Sequence, residues 1–265
     1  MTNSRRSVLL ALPMVAIARA VVIRDGIPDS RYLAPASEFP PLADLPIEGH
    51  GTLIARQWVV TAAHAVHEHH PDRVTINGKP RAVAGTVIHP GFEGVPTPAV
   101  MAGDAAPLMR ELRGMLDIAL LQLVAPVEDT QPAELYRAND EVGKRVTLYG
   151  KGATGTGASG EEPTSPHRGL LRRAYNRVSS AERQWLTYVF DCSSQAPLLE
   201  GVIGSGDSGG PVLIDANGSQ KLAGITSWRS WRGDLKDIRR GVCGQRFYCS
   251  RVSHYADWID HVVMR

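Results

Sequence analysis

The sequence has little cysteine, few aromatic residues, almost no net charge and no long apolar run beyond its first twenty residues. Only 3 of its 265 residues are cysteines, 6% are aromatic, and the formal net charge at pH 7 is +2. This near balance of charge gives no indication of nucleic acid or of an anionic membrane as a partner. No later run reaches about 18 apolar residues, so we expect the mature protein to be soluble, without a transmembrane helix.

The three cysteines are Cys192, Cys243 and Cys249, and an odd number leaves one thiol unpaired. Cys243 and Cys249 could close a short loop, and Cys192 could equally take either one as its partner. The C-x-x-C pair and the Cys/His quartet of a structural zinc site are both absent. The histidines between residues 64 and 70 do not form H-E-x-x-H, so we predict neither a metal site nor a cofactor.

Residues 1–20 resemble an export signal. Arg5 and Arg6 precede an apolar run at residues 8–18, which is too short to span a bilayer, and residues 18–20 give a small-x-small ending. We therefore expect a signal peptide and export to a periplasm or to the medium. The pair of arginines also fits the twin-arginine route, although such pairs occur in ordinary secretory signals as well.

The remainder of the chain has the composition and the short apolar runs that are typical of a β protein. It contains most of the 26 glycines and 18 prolines, which favour turns over long helices, and its short apolar and β-branched runs are typical of strands. A first group of strands is predicted at residues 51–55, 58–63, 74–76, 81–89 and 118–124. A second group is predicted at residues 145–149, 169–178, 186–190, 212–214, 222–228 and 247–252.

Four segments break this pattern. Residues 24–46 show no clear periodicity and are predicted to run over the surface, and the glycine-rich residues 150–160 are predicted to form a mobile surface loop. A short helix is predicted at residues 105–112, within a long connection. Apolar residues at helical spacing predict an amphipathic helix at residues 253–265, with Ser253 as its N-cap.

Three polar residues have the setting that serine-based hydrolysis needs. A serine hydroxyl is a weak nucleophile at neutral pH, so it requires a base and donors that hold the developing oxyanion. In Gly-Ser-Gly-Asp-Ser-Gly-Gly-Pro, residues 204–211, the glycines allow a tight turn that leaves the N–H groups of Gly206 and Ser208 facing a substrate carbonyl. His64 follows a buried run, and Asp117 opens another, where a carboxylate is costly without a partner such as His64 Nδ1–H.

These segments resemble the histidine, aspartate and serine signatures of the chymotrypsin/trypsin family. The likeness extends over about residues 51–259 and includes Gly-Thr-Leu-Ile at residues 51–54, Ile-Thr-Ser-Trp at residues 225–228 and the terminal Trp258-Ile259. The resemblance implies an all-β fold of two six-stranded antiparallel β-barrels with a C-terminal α-helix. It also implies that the active site lies in the cleft between the barrels.

The resemblance assigns the roles of the three residues. Ser208 is the expected nucleophile, His64 the general base and Asp117 the group that orients the histidine. His64 and Asp117 belong to a first half, residues 21–135, and Ser208 to a second half, residues 136–252, the two forming one peptidase unit with the terminal helix. The predicted protein is a serine endopeptidase that acts on protein or peptide substrates and is a monomer.

Two alternative functions compete with this prediction. The segment around Ser208 also satisfies G-x-S-x-G, the nucleophile elbow of α/β-hydrolases, but that fold needs its acid and histidine after the serine, and here both precede it. A catalytically inactive protease fold could serve as a binding module. All three catalytic positions and the oxyanion glycine are intact, which argues against that alternative.

The substrate pocket departs from the family pattern. Alignment with the family places its floor at Val202, where members that cut after Lys or Arg have an aspartate. Ser227 matches the residue that lines the pocket and contacts the substrate backbone, and Arg229 stands where the pocket mouth usually has glycine. We therefore predict that the enzyme does not cleave after basic residues and prefers a small, apolar or acidic side chain.

The amino terminus departs as well. Family members need a new terminus whose ammonium pairs with the aspartate beside the serine, and Asp207 matches that aspartate. Cleavage after Ala20 would expose Val21, so we hypothesise that export processing activates the enzyme by bringing the Val21 amine to Asp207. The family's disulfide bridge next to the serine is missing, because Gly204 occupies the place of its first cysteine.

Overall fold

The computed structural model describes residues 21–162 and 169–264. The predicted signal peptide and its pair of arginines lie outside the described residues. Of the described helices, none is long and apolar enough to cross a membrane. The strands of the described residues are β1 (Val21–Ile23), β2 (Leu42–Asp44), β3 (His50–Ala55), β4 (Trp58–Thr61), β5 (Arg73–Ile76), β6 (Lys79–Ile88), β7 (Ala119–Leu123), β8 (Arg145–Gly150), β9 (Thr154–Thr156), β10 (Gly160–Glu161), β11 (Arg172–Glu182), β12 (Trp185–Val189), β13 (Gly201–Val202), β14 (Pro211–Ala216), β15 (Ser219–Arg229) and β16 (Arg246–Arg251).

Twelve of these strands close into two barrels. The first has the order β2-β3-β4-β7-β6-β5 and the second the order β11-β12-β16-β15-β14-β8, and every pairing within them is antiparallel. Closure leaves no unpaired sheet edge in either barrel. This architecture confirms the predicted all-β fold with two six-stranded barrels. The division of the chain at residue 135 stays a prediction.

Two α-helices accompany the barrels in the described residues, α1 (Ala106–Gly114) and α2 (Val252–Val263), together with short 3₁₀ turns at Asp29–Arg31, Ala36–Glu38, Ala63–Ala65, Pro98–Val100 and Leu235–Asp237. Helix α2 buries Val252, Tyr255, Ile259 and Val262, which share one face at helical spacing. It begins one residue before Ser253 and has no side-chain cap. The N-cap prediction was therefore wrong, because the Ser253 hydroxyl donates to Glu141 at 2.7 Å instead.

An apolar cluster joins the two barrels. It contains Val60 and Leu120 of the first barrel, Leu213 and Ile225 of the second, and Tyr255 of helix α2. Burial of such side chains contributes roughly 1.5–3 kcal/mol each. The cluster therefore fixes the position of one barrel relative to the other. The functional site described below lies at the junction of the two barrels.

Two segments that the sequence pattern left irregular form strands. Residues 24–46 include β2, which closes the first barrel beside β3 and β5. Residues 150–160 include β9 and the start of β10, so the predicted mobile loop was wrong. Strand β9 has a partner from far away in the sequence, because β1 pairs in parallel with β9 and antiparallel with β13, and β10 then pairs with β9. A local pattern of residues contains no information about such a partner.

The disulfide joins Cys192 and Cys243, which are 51 positions apart in the sequence, and Cys249 is a buried free thiol. This pairing is one of those that the sequence left open. It links the segment after β12 to the loop before β16. Burial raises the pKa of the Cys249 thiol, which keeps it protonated and poorly reactive.

Candidate active site

His64, Asp117 and Ser208 meet at the junction of the barrels. His64 lies in the 3₁₀ turn that follows β4, Asp117 lies just before β7, and Ser208 lies in the loop between β13 and β14. His64 Nδ1 is 2.7 Å from Asp117 Oδ2, and His64 Nε2 is 2.8 Å from Ser208 Oγ. The three residues that the sequence analysis singled out therefore form one continuous chain of hydrogen bonds.

Asp117 is held in place by several donors. Its side chain is 0% exposed, its Oδ1 accepts the backbone N–H of His64 at 2.9 Å, and its Oδ2 accepts the hydroxyl of Ser227. Ser250 donates its hydroxyl to the backbone carbonyl of Asp117. Burial opposes ionisation of the carboxyl, but the facing His64 and these hydrogen bonds outweigh it and lower its pKa. Asp117 is thus an ionised, acceptor-only group.

His64 is fixed in the tautomer that a general base needs. Because the ionised Asp117 only accepts, Nδ1 carries the proton and Nε2 is left to accept the Ser208 hydroxyl. Burial disfavours the imidazolium, but the charge of Asp117 outweighs this effect and raises the pKa of His64 above its ordinary value. Its side chain is 25% exposed, so it faces the site opening while remaining anchored.

The turn that contains Ser208 depends on glycines with positive φ. Gly206 has φ 90° and Gly209 has φ 76°, and a Cβ on Gly209 would lie 2.1 Å from the carbonyl oxygen of His50. Gly209 N–H donates to the carbonyl oxygen of Thr226 at 2.8 Å, which holds the turn against β15. Within residues 21–162 and 169–264, the N–H groups of Gly206 and Ser208 make no hydrogen bond to protein.

A cleft of about 540 Å³ opens directly beside His64 and Ser208. One side of it is formed by residues 45–48, which include Leu45, and the other by residues 69–72, which include His69. The cleft gives a substrate access to the hydroxyl of Ser208. No group of three or more potential metal ligands was found in the part of the chain that the structure describes.

The predicted pocket residues lie in three different settings. Val202 is fully buried in β13, opposite Val22, where it packs in the core of the second barrel. Ser227 donates its hydroxyl to Asp117 and thereby supports the carboxylate, but it does not line the cleft. Arg229 ends β15, and its guanidinium is paired with Glu161. The sequence analysis missed Glu161.

Asp207 is buried and directly precedes Ser208 in the chain. Its Oδ1 accepts the backbone N–H groups of Lys151 at 2.8 Å and Gly152 at 2.7 Å, and its Oδ2 accepts that of Gly204 at 2.8 Å. No hydrogen bond between Asp207 and Val21 occurs among the residues described. Val21 is also fully buried, in β1.

His50 is a further buried group that the sequence analysis missed. Its Nδ1 bonds to Asp44 Oδ1 at 3.1 Å, and its Nε2 lies 3.4 Å from Asp207 Oδ1. Burial disfavours its charged form, but Asp207 and Asp44 outweigh burial and raise its pKa. Lys151 completes the cluster through Asp44. A histidine directly before the Gly-Thr-Leu-Ile segment gave no signal, because no motif links it to Asp44 and its other partner, Asp207, is distant in the sequence.

A hydroxyl, an imidazole and a buried carboxylate in this order form the arrangement that serine hydrolases use. The family model of trypsin matches residues 31–259. A trypsin from Phaedon cochleariae is 30% identical over 230 residues, which cover 79% of this chain and 76% of that protein. The chain therefore belongs to the trypsin family. It is a serine endopeptidase, a hydrolase that acts on peptide bonds.

Proposed function

We propose that the enzyme cleaves peptide bonds through an acyl-enzyme intermediate formed on Ser208. His64 Nε2 takes the hydroxyl proton as Ser208 Oγ attacks the substrate carbonyl carbon, and the protonated His64 then gives that proton to the leaving amine. Water repeats the sequence on the ester and releases the acid. The observation that carries this proposal is the unbroken chain from Asp117 Oδ2 through His64 to Ser208 Oγ, with links of 2.7 and 2.8 Å.

Asp117 and the turn glycines have supporting roles in this proposal. Asp117 keeps the Nδ1–H tautomer of His64 and stabilises the imidazolium that forms during attack. The N–H groups of Gly206 and Ser208 hold the oxyanion, and loss of one such donor costs about 10²–10³-fold in turnover. Support for the latter role is that neither N–H has an acceptor within the described residues.

Labelling by a fluorophosphonate tests the proposal. The processed enzyme is expected to form a covalent adduct on Ser208 and to cleave casein, and Ser208→Ala should lose both. Ser219→Ala, which changes the exposed serine at the start of β15, is the matched control and should retain both. An unlabelled wild-type protein that is folded would favour the inactive binding module.

We further propose that the enzyme cleaves poorly after residues with basic side chains. Val202 provides no carboxylate to hold a cation, and Arg229 carries a like charge. The carboxylate of Glu161 is already paired with Arg229, so it is not free to hold a substrate cation. Profiling with a peptide library tests this, and a dominant preference for Lys or Arg would refute it.

Activation by cleavage after Ala20 is also proposed. Val21 has φ 70°, which is strained for a β-branched residue and costs on the order of 1–3 kcal/mol. Cleavage before Val21 removes the peptide bond that defines this torsion, and it creates an ammonium in the buried sheet next to the nucleophile segment. Asp207 is the carboxylate proposed to receive it. Mass spectrometry of the active form is the test, and an active species that retains residues before Val21 would refute the proposal.

Export is proposed as the setting of this activation. Proteins of this family are usually secreted, and the disulfide between Cys192 and Cys243 fits an oxidising compartment, where such bonds persist. Fractionation of cells that express the full chain tests the location. A fully reduced, cytoplasmic and active protein would argue against it.

A further inference from the structure

Arg229 and Glu161 form an ion pair that is largely shielded from solvent. The side chain of Arg229 is 14% exposed and that of Glu161 is 9% exposed. The Arg229 guanidinium also lies over the ring of Phe247, with Cζ 5.6 Å from the ring centre. Breaking a shielded pair by removing one charge is costly because the other charge is left unpaired. The free energy of Arg229 is therefore lower with a carboxylate beside it than without one.

Glu161 has partners on the other side of the site as well. Its Oε1 accepts the backbone N–H of Ser205 at 3.0 Å, and its Oε2 accepts the Ser205 hydroxyl at 2.7 Å. Ser205 directly precedes Gly206, one of the proposed oxyanion donors. The Glu161 carboxylate thus lies between the nucleophile segment and the end of β15, where the resemblance to the family places the mouth of the substrate pocket.

Several N–H donors of the Arg229 guanidinium make no hydrogen bond to the residues described. Only Nη1 bonds to Glu161, and the Arg229 side chain makes no other hydrogen bond to the residues that the structure describes. A guanidinium fork binds a carboxylate best through two parallel N–H donors. If Glu161 released Arg229, it would keep both of its bonds to Ser205. Exchange of Glu161 for another carboxylate would therefore keep Arg229 paired, and Glu161 would lose its counter-charge but keep two hydrogen bonds from Ser205.

We infer that Arg229 selects an aspartate or glutamate side chain on the residue before the scissile bond, and that Glu161 takes the place of that carboxylate in the free enzyme. The inference rests on the proposed function, since it concerns the substrate of the same site. Substrate entry replaces one carboxylate by another on Arg229, with no change of covalent bonds. Arg229 is thus a specificity-determining residue, and Glu161 is a competitor for it within the same chain.

Two peptides that differ only in glutamate or glutamine before the scissile bond provide the first test. Hydrogen bonds to charged groups are worth enough to give about a 10- to 100-fold higher kcat/KM for the glutamate peptide on the processed enzyme. Arg229→Gln should abolish this preference, chiefly through KM. Arg232→Gln, which changes an exposed arginine of the same loop, should retain it. Equal kcat/KM for the two peptides on the wild-type enzyme would overturn the inference without any variant.

Glu161→Gln tests whether Glu161 competes with the substrate carboxylate for Arg229 or only supports the structure of the site. Its amide oxygen can still accept from Ser205, but its charge no longer holds Arg229. We expect KM for the glutamate peptide to fall by about 3- to 10-fold, because the charge-assisted hydrogen bond between Glu161 and Arg229 is partly lost. The kcat for this peptide and both constants for the glutamine peptide should stay unchanged. Glu162→Gln, at the exposed neighbouring position, is the control.

The outcomes separate this inference from the proposed function. An equal loss of kcat for both peptides in Glu161→Gln would mean that Glu161 only supports the site, and the inference would be wrong. Fluorophosphonate labelling of Ser208 is measured in every variant. Labelled wild-type enzyme without a preference for glutamate refutes the inference alone, whereas folded wild-type enzyme that is not labelled refutes the proposed function.

Discussion

Replacing Asp117 by asparagine removes the charge that faces His64 and reverses the direction of two hydrogen bonds. The amide oxygen can stay at the Oδ1 position and accept the backbone N–H of His64, at 2.9 Å in the wild type. The amide nitrogen then takes the Oδ2 position, where His64 Nδ1 and the Ser227 hydroxyl both donate at present. Both partners must become acceptors, so the proton of neutral His64 moves to Nε2.

A histidine that carries its proton on Nε2 cannot accept the proton of Ser208. We therefore expect Asp117→Asn to lower kcat by about 10⁴-fold, which corresponds to roughly 5.5 kcal/mol of transition-state stabilisation. The assay is hydrolysis of a chromogenic peptide by the processed enzyme, with near-ultraviolet circular dichroism to establish that the variant is folded.

Asp129→Asn provides the matched control in the same barrel. Asp129 accepts from Lys79 and Arg81 near the surface, and its loss should leave kcat unchanged. A folded Asp117→Asn variant that loses less than about tenfold in kcat would refute the argument. In that case the tautomer of His64 would not depend on the carboxylate.

Three further predictions concern pH, packing and the disulfide. Because His64 must be neutral and its pKa is raised, kcat/KM should fall as the pH drops through a value above the ordinary 6.5, and a limb at or below 6.5 would contradict this assignment. Gly204→Ala should lower the free energy of unfolding by about 1–3 kcal/mol in urea, because the new Cβ would lie 2.1 Å from the carbonyl oxygen of Ala153. Removal of the bond between Cys192 and Cys243, which spans 51 positions, should lower it by about 4 kcal/mol in the same assay.

Each of the stability predictions has a control within the chain. Gly85→Ala adds the same methyl group where no atom lies within 4 Å, and it should leave the urea midpoint nearly unchanged. A reductant should destabilise the wild type but not a double variant in which Cys192 and Cys243 are alanine. Equal midpoints for Gly204→Ala and Gly85→Ala, or a loss below about 1 kcal/mol on reduction, would contradict the respective arguments.

The barrels were predictable from the sequence, because their long strands carry their own apolar pattern. Strands such as β4 and β7 are buried along nearly their whole length, and they appear in the sequence as continuous apolar runs. Strands β2, β9 and β10 have two or three residues each, too few for a period to be visible. They form because other strands offer them hydrogen-bonding partners: β3 and β5 pair with β2, β1 pairs with β9, and β9 pairs with β10.

The candidate site divides in the same way. His64, Asp117 and Ser208 stand in local motifs whose residues also shape the nearby backbone, so a single sequence sufficed to predict them. Glu161 has no such motif, and it lies 44 positions from Ser205 and 68 positions from Arg229. From the sequence Arg229 is a free cation, and only the fold shows that its charge is already matched.

The apolar cluster between the barrels determines how the two halves of the chain depend on each other. A fragment that ended near residue 135 would carry Val60 and Leu120 without Leu213, Ile225 and Tyr255, which cover them in the intact protein. Each half would then expose an apolar surface and contain only part of the site at the junction. The two barrels should accordingly melt in one cooperative transition, and an exchange of halves between relatives would succeed only if the paired faces were exchanged together.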